Sequence, residues 1–229
     1  MKESNKIIEV AERFLGLYEV KSNAIWDDPS TAGEDPQAKI LLELMIESGW
    51  QPGYAYCCSL TEAVWRQAYY ELDAPQDTID KITTNLTPSV MKSFNNWKKE
   101  ELISTIPTSG SIFFMQKGFT GFGHAGIVVK SSDDGKKIST IEGNTSPDPA
   151  SVEADREGDG VFRRVRPVSF TSSTGLWMQG FLHPIVIQDA PVIIDLPVVE
   201  HTPVVSQKPK CIVARAFSWI MRPEDRAIS

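Results

Sequence analysis

An α+β domain, with helices first and an antiparallel sheet after them, is the fold class this sequence predicts. Three observations carry the prediction. Before residue 100 the apolar residues recur at helical spacing. After Pro107 they gather into short runs separated by Gly- and Asp-rich turns. From residue 186 the pattern changes again, with Pro191, Pro197, Pro203 and Pro209 set among Val, Ile and Thr. The chain of 229 residues, 41% hydrophobic and 23% charged, is long enough for one full core and an appendage. A domain over 1–185 and an extended arm with a helix over 186–229 are therefore expected.

The elements follow in order. Ile7, Ile8, Val10, Ala11, Phe14 and Leu15 predict a helix over 4–17, stopped by Gly16. Trp26–Pro36 is rich in Asp, Glu, Pro and Gly and is expected to be a loop. Ile40, Leu41, Leu44 and Met45 predict one face of a helix over 37–48, closed by Gly49. After the Pro52-Gly53 turn, a helix is predicted from Cys58 to Leu72. Thr87-Pro88-Ser89 predicts a helix start, with Thr87 as cap and Pro88 in first position, carrying Val90, Met91, Phe94 and Trp97. Strands are predicted over 111–115, 124–130, 137–142, 161–166 and 176–184. Asp133-Asp134-Gly135-Lys136 forms a hairpin turn, and residues 143–159 a long polar loop. Past the proline-rich arm, Ile212, Val213, Ala216, Phe217 and Ile220 predict an amphipathic helix over 210–222.

Composition narrows the function. The formal charge of −7 argues against a basic nucleic-acid binder. No run reaches the ~18 apolar residues of a membrane span. Met1–Lys6 lacks a basic-then-apolar leader, so the chain is expected to be made in the cytoplasm and to depend on another agent for release. Three cysteines are too few for a disulfide scaffold, and no Cys-x-x-Cys pair offers a zinc site.

Only three histidines are present, His124, His183 and His201, so a Cys–His enzyme has few ways to assemble its site. Cys57 and Cys58 follow a Pro-Gly turn and open a helix. Unpaired N–H groups and the positive dipole end there favour a thiolate. One of the two should face a cleft and the other the core. His124 opens an apolar strand between Gly123 and Gly126, where a rigid backbone can aim it into a cleft. His183, before Pro184, and His201, in the arm, are expected to be structural or exposed. Glu142 and Asn144 lie two residues apart at a strand end and should share a face. A carboxylate or amide there can hold the second imidazole nitrogen and orient the ring toward the thiol.

In this ordered set the sequence resembles the cysteine, histidine-dependent amidohydrolase/peptidase (CHAP) family, especially compact forms found in phage lysis proteins. Members often read Trp-Cys-Ala-x-Phe-Val at the nucleophile. The matching stretch here is Tyr56-Cys57-Cys58-Ser59-Leu60-Thr61, which departs at Tyr56, Leu60 and Thr61. Gly-His-x-Gly-Ile-Val matches at Gly123–Val128, and Glu-Gly-Asn-Thr at Glu142–Thr145. Phe14–Val20 and Arg156–Arg166 extend the resemblance over about residues 5 to 185. It implies a papain-like fold, with Cys57 as nucleophile, His124 as general base, Glu142 orienting the imidazole and Asn144 as an accompanying polar residue.

The resemblance further implies hydrolysis of an amide bond in peptidoglycan stem peptides, by an N-acetylmuramoyl-L-alanine amidase or an endopeptidase, without metal or organic cofactor. Some members bind calcium, but Asp27, Asp28, Glu34 and Asp35 lack the Asp-x-Asp-x-x-Asp spacing and are expected to be solvated. A toxin-type amidase or protein peptidase, and a non-catalytic wall-binding or virion module, are the alternatives. Arg163, Arg164 and Arg166 are expected to form a basic face that offsets the acidic whole. The arm, with basic residues from Lys208 onward beside Phe217 and Trp219, is expected to pack on the domain or a second copy, or else to contact an anionic surface.

Overall fold

The computed structural model describes residues 1–19, 26–27, 35–146 and 160–188. Five helices, α1 (Lys2–Glu12), α2 (Pro36–Glu47), α3 (Cys57–Glu71), α4 (Gln76–Asn85) and α5 (Val90–Lys99), occupy the first hundred residues. The strands are β1 (Tyr18–Glu19), β2 (Trp26–Asp27), β3 (Ile103–Ser104), β4 (Ile112–Lys117), β5 (Gly123–Ser131), β6 (Lys137–Thr145), β7 (Gly160–Pro167) and β8 (Leu176–Leu182). They join in one sheet of order β2-β1-β7-β6-β5-β4-β8-β3, with antiparallel pairing throughout. This is the α+β architecture of helices against an antiparallel sheet that a papain-like domain requires.

Local chemistry sets the helix ends, and several differ from expectation. Helix α1 stops at Glu12 rather than 17. The chain turns through Gly16, whose φ of +86° suits glycine and whose N–H donates to Val161 O at 2.9 Å. Phe14 and Leu17 remain buried because that turn carries them inward. On α2 the Asp35 carboxylate accepts from Gln37 N at 2.7 Å, and Pro36 fills the first position. Ala38, Leu41, Leu44 and Met45 face the core, while Ile40 is exposed, contrary to the predicted face. Helix α5 begins at Val90 and is capped by Ser89, not Thr87. Ser89 Oγ accepts from Lys92 N, and Thr87 Oγ1 instead accepts from Ser89 N. Helix α4 was not predicted, and only Ile79 and Ile82 on it are buried.

The strands lie where the apolar runs fall, with two kinds of correction. The two-residue strands β1, β2 and β3 were not expected, and β2 lies within the predicted loop. Strand β6 continues to Thr145, taking in the first residues of the expected polar loop. The hairpin between β5 and β6 turns at Gly135, with φ +68°.

Two cores sandwich the sheet. Ile112, Phe114, Ala125, Ile127 and Ile141 join the helical core around Ile7, Leu60, Val64 and Trp97. The alternate residues Phe113, Met115, Val128 and Ile138 join Met178 and Phe181 in a smaller cluster, against which Val168 and Leu176 pack. Central strands buried on both faces explain why β4 and β5 read as continuous apolar runs. Trp65 ties the layers together: it is fully buried on α3, and its Nε1 donates to Gly110 O at 3.2 Å. Truncating such a side chain to alanine costs about 3–5 kcal/mol.

All described residues belong to a unit ending at Asp189. Its final segment lies on the helices. Tyr69 Oη donates to Ile185 O at 2.7 Å, and Ile187 N donates to the buried Glu3 carboxylate at 3.1 Å. The rest of the arm, the expected helix over 210–222, Cys211 and His201 fall outside the described residues, as do Asp28, Glu34 and residues 147–159.

Candidate active site

The loop before α3 is built to present its first residue. Gly53 adopts φ +90°, Tyr54 N donates to Gln51 O at 3.0 Å, and the Trp50 indole donates to Tyr54 O at 2.8 Å. The chain then enters α3 at Cys57, one residue earlier than predicted, with no side-chain cap from Tyr56. The two cysteines face different surroundings. Cys57 is 3% exposed and lines a cleft of about 510 Å³ with Tyr54, Pro88, Val90 and Phe122. Cys58 is fully buried in the helical core, where its thiol donates to Ser93 Oγ at 3.5 Å.

Their protonation diverges accordingly. Burial pushes the Cys58 thiol up to about 12, and the neighbouring Cys57 charge adds to this. Burial also opposes ionisation of Cys57. There, however, His124 and the N–H groups of Ala125 and Cys58 prevail and hold the thiol below its usual value.

His124 sits second in β5, fully buried, beside the Phe113 ring at a centroid distance of 6.0 Å. Its Nε2 and Glu142 Oε2 are 2.7 Å apart, with both side chains inaccessible to solvent. Nδ1 makes no hydrogen bond and is the nitrogen left for the Cys57 thiol. Burial disfavours the imidazolium, but Cys57 and Glu142 outweigh it and His124 is pushed up to about 9. For Glu142 burial favours the neutral acid, yet His124 and then Arg166 hold it well below the carboxylate range. The thiol moving down while the imidazole moves up is the electrostatic pattern of a thiolate–imidazolium pair.

The structure thus brings Cys57, His124 and Glu142 into one continuous arrangement from α3, β5 and β6. Asn144 is treated differently. It is buried, but the β6–β7 register shifts between Glu142 and Thr145, and Asn144 adopts φ +55°. The simple alternation that was to place Glu142 and Asn144 on one face is interrupted, and the hydrogen bond on His124 Nε2 comes from Glu142. Of the other histidines, His183 is half-buried and its Nε2 donates to Ile106 O at 2.7 Å.

The basic face expected from Arg163, Arg164 and Arg166 does not form. Arg163 is exposed and paired with Glu12. Arg164 and Arg166 are buried, while Val165 between them is 63% exposed. Arg164 Nη1 donates to Ser146 O at 3.0 Å. Arg166 reaches Glu142: Nη2 donates to Oε2 at 2.6 Å and Nε to Oε1 at 2.9 Å. Thr140 Oγ1 donates to Oε1 at 2.5 Å. Sequence reasoning missed both of these residues. The signal available was β7 itself, where an exposed valine alternating with two arginines inverts the usual burial pattern.

Among the described residues no three His, Cys, Asp or Glu side chains are grouped to hold a metal ion. Asp35, from the acidic stretch considered for calcium, is committed to capping α2. No helix among the described residues is long and apolar enough to cross a membrane.

No curated protein matches the chain. Residues 49–144 match the family model of the CHAP domain, a span that includes Cys57, His124, Glu142 and Asn144 and ends before β7. CHAP domains are cysteine, histidine-dependent amidohydrolases or peptidases that generally act on peptidoglycan. The buried His–carboxylate pair beside a helix-terminal cysteine, in a sheet-and-helix fold of the matching class, lies within this CHAP-domain match at residues 49–144.

Proposed function

We propose that the protein hydrolyses an amide bond in peptidoglycan, within the stem peptide or at its link to muramic acid, using Cys57 as nucleophile. The observation that carries this reading is the buried 2.7 Å contact of His124 with Glu142, on a ring whose other nitrogen is left for the cleft-lining Cys57. The thiolate attacks the carbonyl carbon, and the imidazolium gives its proton to the departing amine. Water then attacks the acyl-enzyme, with neutral His124 accepting its proton, and the thiolate is restored. The N–H groups at the start of α3 are suited to stabilise the tetrahedral oxyanion. Glu142 keeps the ring in orientation throughout.

The test is mass spectrometry of purified peptidoglycan incubated with wild type and with Cys57→Ala. Free stem peptides from wild type alone identify an amidase, and shortened or unlinked peptides an endopeptidase. Equal product from both proteins would remove Cys57 from the mechanism.

A further inference from the structure

Strand β7 lies beyond the matched span, yet it supplies the group most intimately bound to the His124 partner. Glu142 is fully buried and receives five hydrogen bonds: Oε1 accepts from Thr140 Oγ1 and Arg166 Nε, and Oε2 accepts from His124 Nε2, from Arg166 Nη2 and, at 3.2 Å, from the shared Arg166 Nε. A carboxylate offers about four acceptor sites, so its capacity is filled. Its oxygen facing the imidazole is therefore divided. His124 at 2.7 Å and Arg166 at 2.6 Å compete for the same Oε2.

We infer that Arg166 is a positioning residue for catalysis, which clamps Glu142 against His124 and, by sharing Oε2, limits how firmly the carboxylate holds the imidazolium. This inference rests on the assignment of Cys57 and His124 as the reacting pair. The chemistry needs such a limit. A carboxylate devoted wholly to His124 stabilises the imidazolium, which favours protonation of the leaving amine but hinders the neutral base needed for water attack. The guanidinium is permanently charged and planar, and its fork fixes both carboxylate oxygens at once. It sets orientation and charge together. Lysine, a point charge, cannot replace the two-point contact.

The titratable groups acting directly on His124 are Cys57 from α3 and Glu142 from β6, and β4 contributes the neutral Phe113 ring. Arg166 acts from β7 through Glu142. Cys58, next to Cys57, stays a thiol over the working range. Replacing Arg166 with a neutral residue removes a positive charge near the imidazolium and frees Oε2 for it. Both changes favour the charged ring.

The experiment follows the rate of Cys57 alkylation by iodoacetamide, and kcat/KM on soluble muropeptides, from pH 5 to 11 in wild type, Arg166→Gln, Arg166→Lys and Thr140→Val. Circular dichroism establishes that each variant is folded. In Arg166→Gln the alkaline limb assigned to His124 should move up by ~1 pH unit, with a fall in kcat larger than any change in KM. Arg166→Lys should keep the wild-type limb but lose kcat, because charge is retained and the fork is not. Thr140→Val removes one bond to Oε1, together with the longer contact of the same hydroxyl with Arg164 O at 3.3 Å, and should move the limb upward by less. It is the deciding variant if Arg166→Gln does not fold. An unmoved limb in folded Arg166→Gln, or in Thr140→Val when the former is unfolded, overturns the inference and leaves Arg166 a structural residue. Loss of pH-dependent alkylation in wild type would instead overturn the Cys57–His124 assignment, so the two failures are distinguishable.

Discussion

Gly126 offers a direct test of how tightly the site is built. It lies on β5 beneath Glu142, and a methyl group there would meet Glu142 Cγ and Phe113 Cε1 at 2.8 Å and Ile141 O at 2.9 Å. Ordinary carbon–carbon contacts begin near 3.5 Å, so the shortfall is roughly 0.7 Å against the two carbons, with the carbonyl oxygen crowding a third side. One obstacle is backbone and another is a core aromatic, so the Glu142 side chain is the part most free to yield. Gly126→Ala should cost about 1–3 kcal/mol by overpacking. For a domain of this size that lowers Tm by about 3–10 °C. The second effect is catalytic. Moving Glu142 by about 1 Å breaks its contact with His124, and a misplacement of that size costs about 10²-fold in rate. Thermal melts and kcat/KM on the same preparation read both. Gly175→Ala is the control, since the nearest atom to its added carbon is 3.8 Å away, and it should match wild type. A Gly126→Ala protein with unchanged Tm and activity would refute the reasoning, because it would mean that Glu142 is not held as closely as the structure has it.

Other outcomes follow from the same geometry. Activity should describe a bell in pH, rising as Cys57 ionises below the ordinary thiol value and falling near pH 9 as His124 loses its proton. Glu142→Gln removes two influences that raise His124 while burial, which lowers it, remains. The alkaline limb should therefore move down, opposite in sign to the effect of Arg166→Gln. Iodoacetamide at pH 7 should modify Cys57 well before Cys58, as peptide mapping will record. Cys58→Ala should keep activity while losing ~1 kcal/mol of stability in a urea melt, the scale of one small buried group. Tyr54 and Phe122 flank the cleft, 53% and 57% exposed on turns held by their own hydrogen bonds. Replacing both with alanine should raise KM for polymeric substrate ~10-fold with little change in Tm, and an unchanged KM would exclude them from binding.

The parts legible in the sequence were those where one physical signal acted alone. The Pro-Gly turn ahead of Cys57 located α3 to within a residue, and the apolar run after His124 located β5. Helix α4 escaped because Gln76–Asn85 has only two buried apolar residues and several indifferent helix formers, so tertiary packing rather than periodicity decides it. At Asn144 the expected alternation assumed an unbroken register, and the irregularity after Glu142 is a property of the β6–β7 pair rather than of β6. Arg166 was misread because arginines are ordinarily at the surface. Its burial depends on a carboxylate 24 residues away, and no local pattern encodes that partnership.

The order in which β5, β6 and β7 follow one another bears on how the protein is made. The sulfur of Cys57 emerges from the ribosome first, the imidazole of His124 well after it, the Glu142 carboxylate later, and the guanidinium that completes its coordination last, in β7. A nascent chain halted before Arg166 holds an acid without its clamp. On the proposed roles, the set is therefore complete only when β7, a strand outside the matched family span, closes onto the sheet late in synthesis.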